Sequence, residues 1–316
     1  MKFDKFTWAL IGTVVVATFV PATGEPGHWL DVTVKAAVMA LFFLHGARLS
    51  HAAVFAGVAH WRLHLAVLTG TFVLFPLLGA LLGPLFNVTL GPSLALGMLF
   101  LCCLPSTVQS SIAFTSIARG NVPAAVVSAS LSNILGIVLT PILTGLLLAR
   151  SGAISTDAFA SIATLLLFPF VAGHLLRPLI GEWVARHRGV LGLVDRGSIL
   201  LMVYAAFSKA VIGGLWLQVS ALRLFGLLLA CGLLLALVLV LTTYGARRAG
   251  FVREDEIPIV FCGSKKSLVT GMPMANVLFG GAEAGMIVLP LMVFHQVQLL
   301  VCAWLAQRYA RRSRPP

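Results

Sequence analysis

"FCGSKKSLVTGMP", residues 261–273, decides how the chain is read. It places Lys265 and Lys266 side by side, midway along an apolar run from 257 to 279. Such a run is long enough to cross a ~30 Å hydrocarbon core as a helix. Ionisable groups at that depth are expensive and point to function. Gly263 and Ser264 interrupt the run just before the lysines. The expectation is a half-helix, a break and a second half-helix. Broken backbone at membrane depth survives only where protein or a water-filled cavity satisfies it.

The rest of the chain has the same solvent in mind. Of its 316 residues 59% are hydrophobic and 10% charged, and the mean hydropathy is +1.01. That composition belongs to polytopic membrane proteins. Ten apolar spans are expected, at about 6–22, 30–46, 63–82, 91–118, 122–149, 157–178, 196–217, 221–244, 257–279 and 284–305. The first follows Lys2 and Lys5 as a signal peptide would. No small-residue cleavage site follows it, so it reads as a retained helix. With these spans, 16 of the 22 Lys and Arg fall on one side of the membrane, including both termini, and four on the other. The positive-inside rule then puts both ends in the cytoplasm of a multi-pass plasma (inner) membrane protein, which requires an even number of spans. The net charge of +12 is explained by these loops, and nucleic acid is excluded as a partner. Residues 1–316 form a single transmembrane domain with no soluble domain. Cys102, Cys103, Cys231, Cys262 and Cys302 lie within or at the edge of spans, without CxxC spacing, and read as packing residues. No cofactor is expected, and no metal beyond a sodium ion as candidate coupling ion.

The fourth span carries a second break. It is apolar to Leu104, then Pro105 opens a polar run of Ser106, Thr107, Gln109, Ser110 and Ser111. Proline removes a backbone donor and disfavours helix at the residue before it. Spans four and nine are each the fourth member of a five-span half. Five spans per half inverts the second half relative to the first, giving inverted repeats at about 1–150 and 155–310. Interrupted helices in matching positions of such repeats point to the binding site of a secondary transporter. Two unrelated bent helices are the plainer explanation of the same pattern.

The ten acidic residues all map to loops or span ends, so the two lysines have no carboxylate partner at mid-membrane. Uncompensated positive charge there suits an anionic guest; the structural alternative is that both ammonium groups tie loose carbonyls or snorkel. His295 and Gln298 share a face of the tenth span at i, i+3. Ser128, Ser130, Ser132, Asn133 and Thr140 make the fifth span polar on several faces, serving close packing or supplying oxygen ligands.

"PSTVQSS", "TSIARGN" and "LGIVLTP" resemble the fourth and fifth helices of the bile acid:sodium symporter (BASS) superfamily. "FCGSKKSLVTGMP", "VFHQVQLL" and "FFLHGARLS" are similar to its SBF-like bacterial branch. The resemblance covers essentially the whole chain. It implies an all-α fold of ten transmembrane helices in two inverted five-helix repeats, with panel and core domains and discontinuous helices four and nine crossing in the core. It also implies two sodium ions behind the crossing and an organic anion in front of it. One departure matters: the family's sodium-binding Glu falls at about Phe261, and its following Gln and Asn fall at Lys265 and Lys266. A lysine ammonium is then placed to act as a built-in charge where an ion would sit.

The expectation is a carrier of a small organic anion, sodium-coupled or, with that Glu absent, sodium-independent or proton-coupled. Lys265, Lys266, Ser264, Ser267, Ser106, Thr107, Gln109, His295 and Gln298 are the candidate substrate residues. Ser110, Ser111, Thr115, Ser128 and Ser132 are the candidate cation ligands. A membrane-embedded enzyme would need paired carboxylates, HExxH or a Ser/His/Asp set, and the sequence offers none. A non-transporting receptor on the same scaffold shares every feature named.

Overall fold

The computed structural model describes residues 5–48, 60–148, 163–279 and 283–312, all helices and their connections. Among the described residues six helices are long and apolar enough to cross a membrane, or seven if the bent pair Thr164–Leu175 and Arg177–Arg186 is one span. The six are α2 (Gly24–Arg48), α3 (Trp61–Leu90), α6 (Val122–Leu148), α9 (Arg188–Ile212), α10 (Ala221–Arg248) and α13 (Glu283–Arg312). The other four expected spans are short or interrupted, for separate reasons. Span one is α1, only 15 residues (Lys5–Phe19). Span four is α4 (Pro92–Cys103) and α5 (Gln109–Ile117), and span nine is α11 (Arg253–Gly263) and α12 (Leu268–Leu278). Span six continues from a π-turn at Ala163–Leu167 into α7 (Phe168–Leu175), then turns by 92° into α8 (Arg177–Arg186). Pro178 has no N–H to continue the ladder to His174, which fixes that bend. Residues 157–162 of the sixth span lie outside the described residues.

The chain divides into two compact units, each drawn from both halves of the sequence. The first comprises Met1–Leu49, Gly152–Ser220 and Met272–Leu289. Here α1 packs on α9 and α2 on α7. Two ion pairs lock α2 antiparallel to α9: Arg48 to Asp195 and Lys209 to Asp31, each at 2.6 Å. The crossing of α2 and α7 is close because both helices present glycine there. A Cβ on Gly46 would strike the Phe170 carbonyl, and one on Gly173 the Phe43 carbonyl.

The second unit comprises Ser50–Ser151, Ala221–Gly271 and Pro290–Pro316. Its helices pack through two apolar clusters: Leu63, Val67, Ala125, Ala129, Ile259 and Cys262, and Ala118, Ile257, Phe261, Cys302 and Ala306. Helix α3 ends at Gly91, whose φ of +87° only glycine adopts without cost, and Pro92 starts α4 where its missing N–H is harmless. At one end of the unit Glu256, 5% exposed, accepts from Arg247 at 2.8 and 3.0 Å and from the Tyr309 hydroxyl at 2.6 Å. Burial alone would raise the Glu256 carboxyl; these hydrogen bonds and the Arg247 charge outweigh it and hold it below the usual carboxylate range.

Candidate functional site

The two breaks meet inside the second unit. Leu104 is extended because it precedes Pro105, and α5 resumes at Gln109. At the second break α11 stops at Gly263, and residues 265–267 are non-helical until α12 begins at Leu268. The lysines therefore sit in the break itself rather than on the second half-helix. Each break leaves backbone groups without helical partners, and buried ones must find others.

The carbonyls of the first break are nearly all paired. Lys266 Nζ donates to the carbonyls of Cys102 and Leu104 at 2.9 and 2.7 Å. Thr140 Oγ donates to Cys103 O at 2.9 Å. The Ser267 N–H reaches Pro105 O at 2.9 Å. Asn133 Nδ2 reaches Ser106 O at 2.7 Å, while the Ser106 N–H donates to Ser132 Oγ at 3.0 Å. The second break is closed reciprocally. Ser106 Oγ donates to Cys262 O at 2.6 Å and Ser111 Oγ to Phe261 O at 3.2 Å. Gln298 imitates a peptide strand beside Lys266: its Oε1 accepts the Lys266 N–H and its Nε2 donates to the Lys266 carbonyl, both at 2.9 Å. Ser267 Oγ accepts the Thr270 N–H at 3.1 Å, capping α12.

The two ammonium groups have opposite surroundings, and both side chains are fully buried. Lys266 Nζ has a third acceptor, Thr71 O at 2.8 Å, and lies 4.1 Å from the centroid of Phe75. Lys265 Nζ has no hydrogen-bond partner among the described residues. It rests 3.8 Å over the ring of Phe114 and 5.5 Å from that of Phe261, a contact that attracts a cation to the ring face. The thiols of Cys262 and Cys302 are its polar neighbours.

The remaining candidates divide. Ser106, Thr107, Ser264, Ser267 and Gln298 are buried where the two breaks meet. His295 is half-buried and its Nδ1 is 3.0 Å from Gln298 Nε2. Gln109 lies exposed at the start of α5, apart from them. Among the candidate cation ligands, Ser110 and Ser111 bond Thr107 Oγ at 2.7 and 3.0 Å. Ser128 bonds His64 Nδ1 at 2.7 Å, and Ser132 accepts from Ser106. Thr115 Oγ is buried without a partner among the described residues. Phe261, where the resemblance places a carboxylate, contacts Phe114 and Tyr309 as an apolar ring. Sequence reading did not single out Thr71, Phe75, Phe114 or His64; the polar His64 at i+3 from Trp61 in an apolar helix was the one available signal. Asn133, expected to serve close packing or to supply an oxygen ligand, bridges Ser106 O and, through Oδ1, the Thr270 hydroxyl at 2.7 Å.

The model of the SBF-like CPA transporter family matches residues 4–311. An uncharacterized protein of Pseudomonas aeruginosa is 60% identical, covering 98% of this chain and 93% of its own length. The Escherichia coli protein named "Putative symporter YfeH" is 52% identical over 98% of this chain and 94% of its own. The rat sodium/bile acid cotransporter 7 is 30% identical over 93% of this chain and 89% of its own. The chain belongs to the SBF-like CPA transporter family.

Proposed function

We propose, from that membership, that the chain is a secondary active transporter of a small organic anion, working by alternating access at the crossing of its two broken helices. One observation carries the reading: Lys265 is a fully buried ammonium without a hydrogen-bond acceptor among the described residues. An unpaired buried charge is strongly destabilising unless something balances it. A bound anion is the partner it lacks, and the aromatic rings that hold it now are weak substitutes. Ser264, Ser267, Ser106, Thr107, His295 and Gln298 supply the neutral polar groups around it, whereas Gln109, exposed and apart from the breaks, drops out of the set. Lys266 contributes less to attraction, because its three N–H bonds are already used.

Two features support ten helices in inverted repeats, with the units as panel and core. Apart from residues 272–289, the first unit takes spans one, two, six and seven, and the second the remaining six. In the first unit span one packs on seven and span two on six, the exchange that inversion requires. Both termini are then cytoplasmic in the plasma membrane. If a sodium ion couples transport, Ser110, Ser111, Thr115, Ser128 and Ser132 are its oxygen donors. The apolar ring of Phe261 in place of a carboxylate favours a carrier that runs without a two-sodium set. Bile acid, in the name of the 30% relative, enters here only as one member of the anion class.

The test is flux. Purified protein in liposomes is screened by charge movement against small carboxylates, sulfate esters and a bile acid, in sodium and in choline, with Lys265→Gln beside wild type. The reading expects uptake of at least one anion by wild type and its loss in Lys265→Gln. Equal rates in both overturn the role of Lys265.

A further inference from the structure

We infer that the Lys266 ammonium is a tethered cation filling a cradle of three main-chain carbonyls, and that removing it opens a binding site for a small free monovalent cation. The cradle is built by missing donors. In α3, a π-turn at Gly70–Leu74 sends the Phe75 N–H to Gly70 O. The next donor in that register would be residue 76, which is a proline, so Thr71 O is left without a helical partner. Cys102 O would ordinarily take the N–H of Ser106, but that N–H goes to Ser132 Oγ. Leu104 O stands at the extended residue before Pro105. Three orphaned oxygens from two stretches of chain thus converge on one point, each 2.7–2.9 Å from Lys266 Nζ.

The chemistry at that point is that of a cation site. Main-chain carbonyls are the ligands hard cations prefer. Two of the three stand at the C-terminal end of α4, where the helix dipole is negative. The Phe75 ring closes another side at 4.1 Å with its electron-rich face. Lysine brings three N–H donors and no acceptor, so donors and carbonyls match one to one. The acidic residues of the described second unit, Glu254, Asp255 and Glu256, belong to the first turn of α11, away from this break. The balance is therefore dipolar, as for a bound alkali ion, and not an ion pair. Lys265 beside it has no such oxygens, so the adjacent lysines do different work: one closes a site permanently and the other stays open to a guest. A tethered cation ties α3, α4 and the second break together whatever ions are outside.

The inference stands apart from the anion reading, because its readout is melting without any solute. Wild type, Lys266→Ala, Lys266→Met and Lys265→Ala are melted in choline, sodium, potassium, ammonium and methylammonium chlorides at one ionic strength. Wild type and Lys265→Ala are expected to show no difference attributable to this site. Lys266→Ala is expected to melt well below wild type in choline. At least one small cation should raise it saturably, by about 5 °C or more near 100-fold over its Kd. Lys266→Met, whose chain fills the vacated space, should be lowered without that rescue. If Lys266→Ala cannot be recovered in choline, recovery of monodisperse protein from ammonium or potassium chloride alone is the supporting result. The inference is overturned if Lys266→Ala responds to the salts as wild type does. It is equally overturned if no salt recovers it while Lys265→Ala is obtained normally.

Discussion

Replacing Gln298 by leucine isolates the cost of an open helix break. Leucine keeps a similar volume, so little cavity is created, but both hydrogen bonds to Lys266 disappear. The Lys266 N–H and carbonyl, each now paired at 2.9 Å inside a fully buried site, are left unsatisfied. Each orphaned buried backbone group costs about 1–3 kcal/mol, giving about 2–6 kcal/mol in sum. At about 2–4 °C per kcal/mol the variant should melt roughly 5–20 °C below wild type. The assay is thermal unfolding of purified protein in one detergent at one scan rate, since unfolding of such proteins is commonly irreversible. Gln109→Leu, at an exposed position, is the control and should stay within about 0.5 kcal/mol of wild type. A Gln298→Leu protein melting within about 1 °C of wild type would refute the view that this side chain completes the ninth-span break.

Three further outcomes follow from the same structure. The Glu256 carboxyl is held low in the folded state, so its contribution is fully present above the unfolded value of 4.5 and is lost as pH falls through the folded value. Glu256→Gln should flatten that acid limb of a stability–pH profile and cost about 1–3 kcal/mol at neutral pH, towards the lower figure because Arg247 is 58% exposed. Gly173→Leu should lower the melting temperature strongly, because its side chain would have to occupy the place of the Phe43 carbonyl on α2; an unchanged melting curve would remove the close crossing from the account. Lys265→Met should melt at or above wild type, since it removes a buried charge that no hydrogen bond compensates; a loss of stability as large as that of Lys266→Ala would show an unrecognised partner.

The two broken spans were legible because their causes are local. Pro105 forbids helix at Leu104, and Gly263 with Ser264 weakens the run before the lysines, so both breaks fall within a few residues of where the sequence puts them. The membrane class was legible for a similar reason: apolar run length is a one-dimensional property. The different employment of Lys265 and Lys266 was not. It depends on a π-turn in α3 coinciding with Pro76, which frees one carbonyl nearly two hundred residues from the lysine that uses it. Nor does helical periodicity separate the two side chains, since both lysines stand on non-helical backbone. The 92° turn into α8 falls at Pro178, the residue at which the sixth expected span ends. The pairing of Gln298 with the Lys266 peptide lay hidden because a glutamine in an apolar helix announces a hydrogen bond without naming its partner.

The central claim is that Lys265 attracts an organic anion to the crossing of the broken helices. The most direct measurement is anion-driven charge movement or uptake in liposomes for wild type and Lys265→Gln, with both proteins shown to melt alike. The account predicts robust flux of at least one small carboxylate or sulfate ester in wild type and at least a tenfold loss in the variant. Flux at the wild-type rate in a well-folded Lys265→Gln protein would contradict it.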